Sequence, residues 1–192
     1  VWRYLSLTIS GSKIRSQLKS ATPNAGNALG RILGVYHDNK DIDKSDNFPT
    51  DAPDKVNEIT DNVITVGAMT RNYNEDLVAS FSNYGKRNVD VFAPGLEIYS
   101  TIPQNKYQLL QGTSMAAPAV TGVAAMVRSY YPELSASQVK HILMNSGIKV
   151  DMDVKLPGGG GKLVPFSDLS VSGRVLNAYN ALKMADAMVN GK

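Results

Sequence analysis

The chain is expected to fold as an α/β domain on a mostly parallel sheet, because strand-like and helix-like segments alternate along it. Residues 63–68 are β-branched or small, without a charge, and bounded by polar residues, as in a strand covered on both faces. Residues 115–127 are apolar or small on every side, as in a helix buried mid-domain. With 192 residues the chain fits one domain and can bury a real core.

Each element has its own signal. Residues 4–9 alternate apolar and polar, the period of a half-exposed strand, and Gly11 ends it. Residues 14–21 suit a short helix stopped by Pro23 and Gly26, and residues 32–36 a buried strand. Residues 37–54 are polar, with two prolines, and read as a loop; its Asp38–Asp46 stretch reads as solvated surface. After the strand at 63–68 comes another at 89–92, ended by Ala93-Pro94-Gly95. Residues 98–101 and 107–110 form a pair joined through Pro103-Gln104-Asn105. Helices follow at 114–131 and 135–146, the second opened by Ser135 with Gln138 three residues on, a capping box. Gly158 to Gly161 read as a flexible hairpin tip. Leu163 follows Lys162 where a phosphate loop needs Ser or Thr. A helix over 175–188 closes the chain.

Composition excludes several classes. There is no cysteine, so neither disulfides nor Cys-ligated metals are expected. Net charge is +3, with a mild basic bias from Lys13, Arg15, Lys19 and Arg31 but no basic stripe interleaved with aromatics, which argues against nucleic-acid binding. The most apolar stretch, 116–127, is broken by Pro118, Thr121 and Gly122 and is too short to span a bilayer. No secretory leader opens the sequence; one would have to lie upstream of Val1. No Gly-x-Gly-x-x-Gly opens a helix and no Asp-x-Asp-x-Asp-Gly loop occurs, so neither a dinucleotide fold nor a calcium loop is expected.

Chemistry concentrates at Ser114. Pro118 is tolerable in the first helical turn, so the buried helix must begin close to Ser114. A hydroxyl there lies among free backbone N–H groups at the positive end of the helix dipole, where an oxyanion would be stabilised. The competing reading is that Ser114 simply caps the helix.

The string Gly112-Thr113-Ser114-Met115-Ala116-Ala117-Pro118 resembles the serine motif of the subtilisin-like (subtilase, S8) peptidases. Residues 64–68, 79–85, 91–95, 98–101 and 121–125 resemble the family's other segments in order and spacing. The likeness covers about residues 42–185. It implies a three-layer subtilisin-like domain with a mostly parallel sheet, of which 42–192 is the C-terminal portion and 1–41 a non-matching segment. It further implies Ser114 as acyl-accepting nucleophile and its N–H as an oxyanion donor. Gly112 and Thr113 would line the cleft, with Met115 beside the leaving group. The reaction implied is peptide-bond hydrolysis without metal or cofactor, on a polypeptide substrate, in a secreted or cell-surface setting.

The sequence departs from the family upstream. The family's triad Asp and His precede the Ser, but no Asp here is followed two residues later by Gly, and the histidines are His37 and His141. His141 reads as a partly exposed helix residue. The family's second oxyanion donor is an Asn after a buried strand. Asn27 has the right neighbours but follows no strand, and His37 falls near the right place but is the wrong residue; losing one such donor typically costs ~10²–10³ in rate. Residues 1–41 are thus a diverged equivalent, unrelated sequence, or the product of a frameshift upstream of about residue 38. The chain alone is expected to be inactive, with the remainder of a peptidase domain as partner. The alternative is a non-catalytic remnant that binds or supports structure.

Overall fold

Strands that run parallel at the centre of a sheet must be apolar on both faces, and residues 64–69 meet that condition, with five of the six buried. In the computed structural model, residues 32–34, 39–47 and 50–191 are described, 32–34 by backbone alone. The expected strand at 4–9, the helix at 14–21, Asn27 and His37 lie outside the described residues. In chain order come β1 (Ile32–Gly34), β2 (Ile64–Met69), β3 (Val91–Pro94), β4 (Ile98–Ile102) and β5 (Lys106–Leu110). Helices α1 (Thr113–Tyr130) and α2 (Ala136–Asn145) follow, then β6 (Ile148–Lys149), β7 (Asp153–Lys155) and β8 (Leu163–Pro165). A 3₁₀ turn (Phe166–Asp168), β9 (Arg174–Val175) and α3 (Ala178–Asn190) complete the chain.

The main sheet has the order β1-β2-β3-β9-β6. Its first four strands are parallel, and β6 closes the sheet antiparallel to β9. Ile64, Val66, Ala68, Val91 and Ala93 point to one face, where α1 packs through Ala116, Val120, Val123, Ala124 and Val127. Residues of α2 (Val139, Ile142, Leu143) and α3 (Ala181, Ala185) join the same cluster. The opposite face carries Phe92 and Val175 against Ile42, Leu77, Val89, Val154, Phe166 and Leu169, so irregular segments and the β7–β8 hairpin cover it. Phe92 stands opposite Gly67 in the β2–β3 register, and its ring occupies the space a Gly67 side chain would need: a Cβ there would lie 2.4 Å from a ring carbon.

Several local expectations hold in detail. The β4–β5 hairpin turns through Gln104 and Asn105, both at positive φ. Ser135 closes its capping box, its Oγ accepting from Gln138 N at 3.2 Å while its own N–H donates to Gln138 Oε1 at 2.8 Å. The four glycines form the tip between β7 and β8, with Gly158, Gly160 and Gly161 at positive φ.

Others are corrected. The last helix begins at Ala178, not at 175: Val175 pairs with Phe92 and Ile148 as a strand, and Asn177 caps the helix by accepting from Asn180 N. Pro118 lies in the second turn of α1, two residues deeper than the first-turn rule allows. Lacking an N–H, it cannot donate to the Ser114 carbonyl. The Asp-rich loop is not merely solvated. Asp43 accepts from Arg87 N, Asn88 N and Asn88 Nδ2, locking residues 87 and 88 onto this loop.

Candidate active site

The site begins where β2 and β3 end. Gly95, just past β3, donates its N–H to the Met69 carbonyl at 3.0 Å. Its own carbonyl accepts from Gly112 N at 2.7 Å, so the C-terminal ends of both strands hold the residue that starts α1. Gly95 tolerates no side chain: a Cβ would stand 2.7 Å from Ala68 Cβ and 2.8 Å from the Gly112 carbonyl oxygen. Gly112 itself is buried at φ 144°, a conformation that suits glycine, and it occupies the N-cap. Together these contacts turn the chain sharply from β5 into α1.

The turn shows that Ser114 is not the cap of α1. The N-cap is Gly112, which leaves Ser114 two residues inside the helix, exposed, while Thr113 beside it is buried and Met115 half-buried. The Gly112 carbonyl accepts from Met115 N at 2.9 Å and from Ala116 N at 3.3 Å. Among the described residues, neither the hydroxyl nor the amide of Ser114 has a hydrogen-bond partner. The first turn of α1 contains no acidic residue, so the positive end of the dipole faces Ser114 unneutralised.

The structure does not bring a base to that hydroxyl among the described residues. His141, on α2, is half-exposed as expected, and its Nε2 lies 3.1 Å from the Asp61 carboxylate, which also accepts from Ser137 Oγ. Among the described residues no cluster of His, Cys, Asp or Glu could hold a metal ion, and no helix is long and apolar enough to cross a membrane. The positioning role of Gly95 is not visible in the string around Ser114. Its signal is the Ala-Pro-Gly that ends β3.

A serine exposed in the first turn of a helix, beside the C-terminal ends of β2 and β3, sits in an α/β domain built on a mostly parallel sheet. The family model of the subtilases matches residues 10–178, and the chain belongs to that family. Subtilisin DY of Bacillus licheniformis is 51% identical over 86 residues, which is 45% of this chain and 30% of that protein. Subtilisin-like protease 2 of Plasmodium falciparum is 44% identical over 94 residues, 46% of this chain and 7% of its own. Among solved structures, the A-subunit of the AB5 toxin from E. coli superposes with TM-score 0.65 at 25% identity, over 90% of this chain and 55% of that one. A protease from Pseudoalteromonas arctica has the same fold, with TM-score 0.60 at 22% identity over 91% and 47% of the two chains. The chain thus spans less than a third of these curated relatives and about half of these solved ones.

Proposed function

We propose that this chain carries the nucleophile of a serine endopeptidase and supplies part, not all, of its active site. Ser114 Oγ attacks the scissile carbonyl as a base removes its proton. The tetrahedral oxyanion takes a hydrogen bond from the Ser114 N–H, and collapse expels the amine and leaves an acyl-enzyme that water hydrolyses. Gly112 and Thr113 line the cleft, and Met115 borders the leaving-group side. No cofactor enters. The observation that carries this reading is the hydroxyl and amide of Ser114, without a hydrogen-bond partner among the described residues and exposed at the positive end of an 18-residue helix held from behind by Gly95.

The base and its orienting carboxylate come from the remainder of a subtilisin-like domain, outside the described residues. Its docking edge is taken as β1, which ends the main sheet among the described residues. The sheet's other edge, β6, is two residues long, antiparallel and carries Lys149, the features that discourage further pairing. The assembled enzyme acts on polypeptides outside the cell or at its surface.

A second reading, a non-catalytic module, is favoured by one observation: His141 is engaged with Asp61. A fluorophosphonate probe separates the two. Under the first reading the chain alone is labelled poorly, and addition of the N-terminal part of a subtilisin catalytic domain restores labelling at Ser114, which Ser114→Ala removes. Failure of labelling in the assembled pair supports the non-catalytic module. Robust labelling of the chain alone, lost in Ser114→Ala, would overturn the need for a partner.

A further inference from the structure

Away from Ser114, four charged groups from three parts of the chain meet in and around the core. Asp90, at the foot of β3, and Lys140, on α2, both have side chains only 4% exposed. Glu58 and Asp51 approach from the segment that precedes β2. Lys140 Nζ sits 2.5 Å from Glu58 Oε2 but 3.9 Å from Asp90 Oδ1. The second Asp90 oxygen accepts from Thr65 N at 2.6 Å. The Asp90 backbone is fixed on both sides, by its N–H to the Thr65 carbonyl and by Ser172 Oγ on its own carbonyl.

One ammonium therefore faces three carboxylates and bonds one of them. Were all three ionised, uncompensated negative charge would remain beside the buried Asp90, where it is poorly screened. A proton on Asp90 removes that conflict, and the geometry matches it: Lys140 leans outward to Glu58 and leaves Asp90 beyond hydrogen-bond reach.

We propose that Lys140 is a two-position clasp controlled by the proton on Asp90. With the proton in place, Lys140 holds Glu58 and binds residues 51–58 to α2. When Asp90 ionises, the ammonium turns inward to it, Glu58 is released, and residues 51–58 loosen. The inward move is short, from 3.9 Å to a hydrogen-bond distance of about 2.8 Å. Residues beyond 58 stay tethered because Asp61 bonds Ser137 and His141 on the same helix. Among the described residues the segment's own ties are local (Ile59 N to Asp51 O, Lys55 N to Ala52 O), apart from Asn88 Nδ2 on the Lys55 carbonyl and Lys55 on Asp46.

The change falls near neutrality. Burial pushes the Asp90 carboxyl up to about 7; Lys140 and the Thr65 N–H oppose that shift, and Glu58 and Asp51 add to it. Asp51 is likewise raised, chiefly by burial and then by Glu58. Burial pulls Lys140 down, but Asp90 and Glu58 outweigh it and keep the ammonium charged. Between the ordinary aspartate range and about 7 the folded chain holds a proton that the unfolded chain has lost. The stability this contributes is complete at low pH and disappears as pH rises through 7.

Hydrogen exchange of the whole chain tests the clasp, with rates corrected for intrinsic chemistry and compared from about pH 5.5 to about pH 8.5. The opening constant of residues 51–58 should rise by up to about tenfold per pH unit as pH approaches 7 and level off above it. Asp90→Asn should keep the segment closed and flat with pH, and Lys140→Met should leave it open at every pH. A wild-type opening constant indifferent to pH overturns the proposal. So does a rise that persists in Asp90→Asn, or in Lys140→Met should the first variant fail to fold.

Discussion

Gly95 and Gly112 touch without side chains, and that contact aims Ser114. The Gly112 N–H reaches the Gly95 carbonyl at 2.7 Å, and a methyl on Gly95 would press within 2.8 Å of the Gly112 carbonyl oxygen. That same carbonyl is the acceptor for Met115 N and Ala116 N, so a push on it is a push on the first turn of α1.

Gly95→Ala should therefore destabilise the chain by ~1–3 kcal/mol, the usual cost of forcing atoms into a packed site. Urea denaturation monitored by circular dichroism reads the loss. An unchanged midpoint would mean that β3 and α1 can separate freely, contrary to the contact described.

Phe92 and Gly67 form a matched pair on the other face of the sheet. Gly67→Ala drives a methyl into the ring, and should cost ~1–3 kcal/mol alone. Combined with Phe92→Leu, the loss should be less than the sum of the two single losses, because the smaller side chain vacates the contested space. Strict additivity in a double-mutant cycle would contradict the packing.

Ser114→Ala should leave stability within ±0.5 kcal/mol, since the side chain is exposed and hydrogen-bonds to no described residue. A serine serving as a helix cap would instead cost ~1 kcal/mol on removal. Thermal unfolding of the two chains thus distinguishes a cap from a residue kept for chemistry.

Asp54 gives an acid-side signature. Backbone N–H groups of Asn57 and Val56, with the Asn57 side chain, hold its carboxylate down to about 2. Its contribution is present above the ordinary aspartate range and is lost as pH falls through about 2. NMR titration of the Asp54 carboxyl should show a midpoint near that value, and Asn57→Ala should move it upward. A midpoint in the ordinary range would refute the turn geometry.

How much of this was legible beforehand follows from the range of each interaction. The buried strand at 64–69, the tyrosine-bearing hairpin, the Ser135 capping box and the glycine tip all rest on neighbours a few residues away, and local patterns report them. The end of α1 at Tyr130 and the exposed face of His141 were readable for the same reason. Val175 was misread as helix because its partner, Phe92, lies 83 residues upstream. Asp43 was misread as solvated because its partners, Arg87 and Asn88, are a loop away.

The motif around Ser114 was enough to recognise the family and to single out the serine, because the turn needs small residues at fixed spacing and the helix behind it needs an apolar surface all round. That Ser114 is no cap, that Gly95 sets its position, and that Lys140 answers to Asp90 and Glu58 emerged only in three dimensions. Those facts depend on chain segments separated by tens of residues, whose approach is set by sheet register and helix packing. Local residue preferences do not encode either one.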